Sequence, residues 1–175
     1  MSETLRSTFP LTRRAPATPI TARLPEGFVF KPLSGAILHL MARPAEIETA
    51  RLKAELTGVP DTALRPTGPG QWFLVLEDAT EAEALATKLS TLVAVVDQSH
   101  GRARFLLSGK TVRRVLARGT AVDLHPSTFA IGQSAMTLFG HIGINLTRVG
   151  EDDFELLVLR GFAQSLQDEL LEAIY

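Results

Sequence analysis

Two successive halves of this sequence carry the same order of short apolar runs and amphipathic segments, and this order limits the possible folds more than any other feature. In the first half, residues 36–41 and 71–76 are apolar runs of strand length. A helix is predicted over residues 44–56, because proline suits a first helical turn. A second helix is predicted over residues 81–90, with Thr80 as its cap. This half therefore runs strand, helix, strand, helix.

The second half repeats this order from Leu92 onward. The predicted strands are residues 104–107, residues 134–139 and a hairpin of residues 144–149 and 154–159, and the predicted helices are residues 109–117, capped by Ser108, and residues 162–174. Because strands and helices alternate in both halves, the sequence predicts an α+β fold. We expect two small lobes of antiparallel sheet, each with helices packed on one face.

The predicted lobes occupy residues 26–92 and residues 93–175. Residues 1–25 form a separate N-terminal arm, in which Pro10, Pro16, Pro19 and Pro25 disfavour a helix. We predict that this arm is extended or disordered. Two alternatives stay open for it, a disordered leader or an extended arm that lies along a partner.

Charge and composition exclude several classes of protein. The chain has 18 basic and 19 acidic residues and a formal net charge of −1, so no overall positive field attracts nucleic acid or a membrane surface. It has no cysteine, which excludes a disulfide framework, a thiolate nucleophile and a zinc ribbon. No apolar run approaches the ~20 residues of a membrane span. These features favour a soluble protein of the cytoplasm.

The residues most suited to chemistry form no recognisable site. The four histidines lie at positions 39, 100, 125 and 141, with none of the spacings of metal ligands. His39 lies in an apolar strand and is interpreted as a core residue. Asp123 and His125 have the composition of a general-base pair, but a local turn before Pro126 is the favoured interpretation. Ser108–Thr111 lacks the upstream glycine of a phosphate loop. The sequence therefore predicts no catalytic, cofactor-binding or metal-binding residue.

A local cluster of basic residues is the candidate partner interface. It consists of Arg102, Arg104, Lys110, Arg113 and Arg114, and the last three are spaced to share one face of a helix. The alternative interpretation is an ordinary solvated surface. Because the C-terminal segment is acidic, the charge separation is suited to docking in a fixed orientation.

The single tryptophan, Trp72, begins an apolar strand after a Gly-Pro-Gly turn. We predict that it is a core or core-edge anchor between the two lobes. An interface hot spot is the alternative.

Several motifs together resemble one protein family. The stretch Val96–Gly109 carries an Asp-x-Ser-His sequence followed by Ser-Gly, which resembles folate-binding aminomethyltransferase domains. The segment from Gly119 through Asp123–Pro126 to Thr137 is similar to the gamma subunit of heterotetrameric sarcosine oxidase. Trp72 and the ending Phe154–Ala163 are similar to the same family.

This resemblance implies a non-catalytic accessory subunit of a bacterial enzyme that oxidatively demethylates sarcosine. It implies partners of the alpha, beta and delta types, which would carry the FAD, FMN, NAD, tetrahydrofolate and zinc. It also implies a fold like the N-terminal domain of folate-binding aminomethyltransferases. The segment 141–145, where such enzymes place a catalytic carboxylate, contains no acidic residue.

Two alternatives remain open at this point. The complex could act on another N-methyl amine, since the substrate would touch other subunits. The chain could instead be an independent folate-binding, aminomethyltransferase-like domain, although the missing acid in segment 141–145 disfavours this.

Overall fold

A computed structural model describes residues 15–43, 46–47 and 49–175. The strands are β1 Val29–Leu33, β2 Ala36–Met41, β3 Leu64–Gly68, β4 Gln71–Leu76, β5 Ala94–Asp97, β6 Arg102–Ser108, β7 Ser134–Phe139, β8 Ile142–Arg148 and β9 Asp153–Leu159. The helices are α1 Thr49–Glu55, α2 Ala82–Leu89, α3 Val112–Leu116 and α4 Ala163–Ile174. Among the described helices, none has the length and hydropathy of a transmembrane segment.

The strands form two antiparallel sheets. The small sheet has the order β3-β4-β2-β5, and the large sheet has the order β1-β6-β9-β8-β7. Helices cover the outer face of each sheet, and the inner faces meet at a contact of Ile37, Phe73 and Val75 with Leu157. The layers therefore run helix, sheet, sheet, helix. The predicted α+β class, with antiparallel sheets and helices on one face of each, is confirmed.

Alternation along β4 shows how the small sheet is built. Its even-numbered side chains, Trp72, Leu74 and Leu76, pack in the core under α1 and α2. The odd-numbered Phe73 and Val75 point to the other sheet. Because side chains alternate with a period of two along a strand, one apolar run supplies both cores.

The large sheet follows the same rule, with polar exceptions on its inner face. Phe154, Leu156 and Val158 of β9 pack in the core under α3 and α4. On the inner face Leu157 is accompanied by Glu155, which is also buried. The charged residue on this face becomes part of the candidate site described below.

Each sheet takes one strand from across the proposed lobe boundary. β1 pairs with β6 in the large sheet, over Val29↔Ser108 to Leu33↔Arg104. β5 pairs with β2 in the small sheet. The division into domains of residues 26–92 and 93–175 stays a prediction.

The described part of the N-terminal arm, residues 15–25, has no helix or strand. It lies along α4, because the Thr18 amide donates to Gln164 Oε1 at 2.7 Å and Gln167 Nε2 donates to the Thr18 carbonyl at 3.0 Å. Ile20 and Leu24 pack against the core of the large sheet. Residues 1–14 lie outside the described part.

Two predicted helix caps are wrong. Asp78, not Thr80, is the cap before α2, and its carboxylate accepts from the Thr80 amide at 2.8 Å. Ser108 does not cap α3, because the next residue, Gly109, turns the chain with φ 125° and the helix begins at Val112. The first helix begins at Thr49, and Pro44 lies outside the described residues.

Trp72 is a core residue, but it does not lie between the lobes. It is 3% exposed and packs with the helices of the small sheet. Its indole Nε1 donates to Thr49 Oγ1 at 2.8 Å. The aromatic residue between the two sheets is its neighbour Phe73, because alternation turns the two side chains to opposite faces.

Candidate functional site

An ion-pair cluster joins the two sheets. Arg65, Arg104 and Glu155 are its buried members, and Glu77 is an exposed member at its edge. Arg65 comes from β3 of the small sheet, while Arg104 and Glu155 lie opposite it on β6 and β9. The Glu155 carboxylate accepts from Arg65 Nη2 and from Arg104 Nη2, both at 2.9 Å. Glu77, just after β4, accepts from Arg104 Nη2 at 2.5 Å. The cluster therefore ties both sheets together through charge-assisted hydrogen bonds.

Burial and charge act in opposite directions on the carboxyl of Glu155. Burial alone would raise its pKa, but the guanidinium groups of Arg65 and Arg104 outweigh burial and hold the pKa below its ordinary value. Arg65 experiences the stronger desolvation, and burial lowers its pKa. Glu155 is therefore ionised, and its negative charge stabilises the two buried guanidinium groups.

A glycine makes room for the cluster. Gly35, in the turn between β1 and β2, has φ 120°, and a Cβ there would lie 2.1 Å from the Leu76 carbonyl and 2.8 Å from Arg104 Nη1. The same guanidinium nitrogen donates to the Ser34 carbonyl at 2.6 Å. Only glycine allows this close approach without strain.

Beside the cluster, a cleft of about 450 Å³ opens at the junction of the sheets. We call it the arginine cleft, and the polar and turn residues that line it are Ser34, Gly35, Ser99, Arg102, Arg104 and Arg160. None of the described residues that line it is acidic. The charge of Arg104 is balanced within the chain by Glu77 and Glu155.

Arg102 is the residue that best fits a binding role in this cleft. Its guanidinium lies over the ring of Phe73, 4.3 Å from the centroid. Its Nε is buried and has no hydrogen-bond partner among the described residues. Burial lowers the pKa of Arg102. The side chain is thus oriented by the ring beneath it, and no described residue supplies the anion that a partly buried arginine usually has.

The Asp-x-Ser-His motif shapes the edge of this cleft. The Asp97 carboxylate accepts from the Ser99 amide at 2.7 Å, which fixes the turn between β5 and β6. The hydroxyl of Ser99 accepts from the amide of Ile37 at 3.0 Å, which joins this turn to β2. The motif therefore has a structural role next to Arg102.

The predicted basic interface is divided between two faces of the large sheet. Arg102 and Arg104 lie two residues apart on β6 and point to the inner face, and Arg104 is 3% exposed. Arg113 and Arg114 lie on α3, on the outer face, and Lys110 precedes that helix. The five residues do not share one surface. Whether any of them contacts a partner stays a prediction.

Arg113 is held within the chain. Its Nη1 donates to Asp152 Oδ1 at 2.5 Å, and Nη2 donates to the carbonyl of Glu151. Its guanidinium lies 5.7 Å from the ring centroid of Phe154. Lys110 and Arg114 are exposed. The α3 cations therefore differ, one being structural and two facing solvent.

The histidines that drew attention in the sequence have local partners. The amide of His125 donates to Asp123 Oδ1 at 2.9 Å, as expected of a turn. His39 is half-buried, its Nε2 lies 3.2 Å from Gln71 Oε1, and burial lowers its pKa. Among the described residues, no three His, Asp or Glu side chains are placed to hold a metal ion.

Sequence reasoning missed Arg65, Glu155 and Arg160. One of them, Glu155, could have been identified from the sequence. It is a charged residue on the inward side of a largely apolar strand, Asp153–Leu159. Nothing local to Arg65 shows that its partner is 90 residues away.

Comparison with known proteins places these features in a family. Residues 43–173 match the model of the family described as "Sarcosine oxidase, gamma subunit family". A curated relative, sarcosine oxidase subunit gamma of an Arthrobacter species, is 26% identical over 93% of this chain and 90% of its own length. The corresponding protein of Corynebacterium sp. strain P-1 is 28% identical over 66% of this chain. That match spans 58% of the Corynebacterium protein.

A solved structure has a similar fold. It is the heterotetrameric sarcosine oxidase from Corynebacterium sp. U-96 in complex with pyrrole 2-carboxylate, and the aligned chain has a TM-score of 0.72. The two chains are 24% identical, and the match covers 84% of this chain and 83% of the other. The likeness therefore shows a shared arrangement of helices and sheets.

Proposed function

The chain belongs to the sarcosine oxidase gamma subunit family, and we propose that it is the non-catalytic gamma-type subunit of a heterotetrameric sarcosine oxidase complex. The observation that carries this proposal is the family match, which runs from residue 43 to residue 173 and so includes the strands β3 to β9. The complex would convert sarcosine to glycine and hydrogen peroxide, with formaldehyde or methylene-tetrahydrofolate as the one-carbon product. The role of this chain would be structural, in assembly.

The pairing of the buried charged side chains supports a structural role. Glu155 of the large sheet pairs with Arg65 of the small sheet and with Arg104 of its own sheet. Charged groups that are paired in this way fix how the sheets pack, and they are not available as an acid or base for a substrate. This disposition favours an accessory subunit over an enzyme.

The partners and cofactors follow from the same proposal. Alpha-, beta- and delta-type subunits would surround this chain in the cytoplasm, and they would carry the FAD, FMN, NAD, tetrahydrofolate and zinc. This chain itself would bind none of them.

Purification of the untagged chain from its native cells tests the proposal. We expect alpha-, beta- and delta-type subunits to co-purify in stoichiometric amounts and the fraction to oxidise sarcosine. A chain that elutes alone, or with unrelated proteins, would contradict the assignment. The isolated chain should be colourless, so flavin absorbance retained in stoichiometric amount would contradict the accessory role.

An independent folate-binding domain is the second candidate. In segment 141–145 the polar residue Asn145 is 1% exposed, and its Oδ1 accepts from Thr147 Oγ1 at 3.2 Å. A side chain so placed has no access to a pterin, and we derive no folate chemistry from it. Titration of the isolated chain with tetrahydrofolate should therefore give no saturable signal.

A different N-methyl amine substrate is the remaining alternative. Comparison of sarcosine with N-methylglutamate as substrates of the purified complex separates the two. We expect the higher kcat/KM for sarcosine.

A further inference from the structure

Arg102 is a half-buried cation that has no anionic partner among the described residues. Its neighbour Arg104, two residues along the same strand, is paired with Glu77 and Glu155. Within the part of the chain that the structure describes, no carboxylate pairs with Arg102, and its buried Nε has no acceptor. A partly buried arginine without an internal partner is stabilised when another molecule supplies an anion.

Arg102 gives the cleft a group that is suited to a carboxylate. Among the described residues that line the cleft none is acidic, and the charge of Arg104 is already balanced by Glu77 and Glu155. The Arg102 guanidinium lies over the ring of Phe73, 4.3 Å from its centroid, and this contact restricts where the guanidinium can lie. A planar, oriented guanidinium binds a carboxylate through two parallel hydrogen bonds, which a lysine ammonium cannot reproduce.

Two exposed apolar side chains lie on the same faces of the sheets as Arg102 and Phe73. Leu159, directly opposite Arg102 in the pairing of β6 with β9, is 47% exposed. Val96, on the edge strand β5 of the small sheet, is 42% exposed. A free carboxylate ion would leave these side chains in water, whereas a protein surface that presents a carboxylate would cover them. Arginine surrounded by apolar contacts is typical of the centre of a protein interface.

We propose that the arginine cleft binds an aspartate or glutamate side chain of another subunit, with Arg102 as the principal contact. This rests on the proposed function, because it takes the partner to be a subunit of the same complex. The cleft would then be an assembly site on the inner side of the large sheet. It lies on the face opposite α3, so it is separate from Lys110 and Arg114.

The test uses the full chain and a complex of the other subunits. The alpha-, beta- and delta-type subunits are immobilised, and the dissociation constant is measured for the wild-type chain, Arg102→Gln, Arg102→Lys and Arg51→Gln. Arg51 is the matched control because it is exposed and lies on α1, on the outer face of the small sheet. Thermal melting of each isolated chain shows whether it is folded.

We expect Arg102→Gln to weaken binding at least tenfold, as for removal of one partner of a desolvated charge pair. Arg102→Lys keeps the charge and much of the contact with Phe73 but loses the two parallel hydrogen bonds. We therefore expect its affinity to lie between those of the wild-type chain and Arg102→Gln. Arg51→Gln should bind as the wild-type chain does. If Arg102→Gln does not fold, Arg102→Lys alone decides, because equal affinity to the wild-type chain would overturn the proposal.

The remaining outcomes separate this proposal from the proposed function. If the wild-type chain binds and Arg102→Gln binds equally well, the cleft is not an assembly site and the subunit assignment stands. If the wild-type chain binds no subunit, the proposed function fails and the cleft proposal fails with it. Sodium acetate is the probe for a free carboxylate. It is titrated into the isolated chain, and binding is measured by the change in the NMR signal of Arg102 Nε–H. Saturation below 1 mM on the isolated chain would overturn a protein carboxylate as the ligand.

Discussion

Glu155 shows how one buried side chain controls the junction of the two sheets. It is 6% exposed and contacts two guanidinium groups that are also buried. Taking ions out of water costs several kcal/mol for each, and their mutual contacts offset that cost only while all partners are present. The complete cluster therefore contributes little net stability. Removal of a single buried member, however, causes a large loss of folding stability.

Glu155→Gln should destabilise the chain by about 3–5 kcal/mol, because Arg65 and Arg104 would remain buried without their shared anion. Urea unfolding at neutral pH measures the change. Glu77→Gln is the matched control, since Glu77 contacts Arg104 but its side chain is 75% exposed. It should cost less than about 1 kcal/mol. Equal losses for the two variants would contradict a special role of the buried carboxylate.

The lowered pKa of Glu155 also predicts a pH dependence. A carboxyl with a lower pKa in the folded than in the unfolded state contributes stability above its unfolded pKa, near the ordinary 4.5. That contribution is lost as the pH falls through the folded pKa. The stability difference between the wild-type chain and Glu155→Gln should therefore be constant above about pH 5 and shrink below pH 4.5. A difference that stays constant down to pH 3 would argue against an ionised Glu155.

Trp72→Ala should cost about 3–5 kcal/mol of folding stability, the usual range for a large aromatic residue in a core. The cause is a cavity under α1 and α2 and the loss of the hydrogen bond to Thr49. Trp72→Phe keeps most of the apolar contact and should cost less. A variant with unchanged melting temperature that fails to join the complex would show instead that Trp72 is an interface residue.

At the scale of elements, α4 is covered on two sides. Leu166 and Leu170 pack on the large sheet, and Gln164 and Gln167 hold the segment 15–25 against the helix. The contact combines these hydrogen bonds with the apolar packing of Ile20 and Leu24, and hydrogen bonds to backbone contribute about 0.5–1.5 kcal/mol each. The segment should therefore open locally without unfolding of the sheets.

Gln167→Ala should release the segment 15–25 from α4, since it removes the donor to the Thr18 carbonyl. We expect faster amide hydrogen exchange in residues 15–25, with a loss of about 1 kcal/mol in global stability. Ser165→Ala, at an exposed position of the same helix, is the control. Unchanged exchange in Gln167→Ala would mean that the apolar contacts of Ile20 and Leu24 hold the segment.

For the whole molecule, local patterns predict some elements well and others poorly. The predicted bounds of β2 and β4 agree with the structure, because both are apolar runs that end at turns. β1 and β3 were not predicted, since the sequences VFKPL and LRPTG contain proline and charged residues and gain their strand geometry from pairing.

The candidate site was even less visible in the sequence. Arg104 was expected on an exposed basic face, but its partner Glu155 is 51 residues away. Local charge patterns carry no signal for contacts of this kind, which depend on how the sheets pack. Arg102 was named from the sequence as a member of the basic cluster, and its position over Phe73 required the structure. Its contact with a partner stays a prediction.

The net charge of −1 leaves only local fields to guide this chain to a partner. Arg114 is exposed on α3, whereas its neighbour Arg113 is tied to Asp152. Reversal of both charges, Arg113→Glu with Arg114→Glu, is expected to slow association with the partner and alter its salt dependence. Because reversal at Arg113 would place like charge against Asp152, the single variant Arg114→Glu gives the cleaner measurement.

Arg114→Glu should slow association with the partner subunits severalfold at low salt while the dissociation rate stays nearly constant. Charges outside the centre of an interface act mainly on the encounter rate, and exposed ion pairs contribute about 0–1 kcal/mol to affinity. The difference from the wild-type chain should disappear near 1 M salt, where the screening length falls to about 3 Å. Association rates measured over a salt series decide this. Equal rates at every salt concentration would show that Arg114 does not guide the encounter, and the exposed side of α3 would then be ordinary solvated surface.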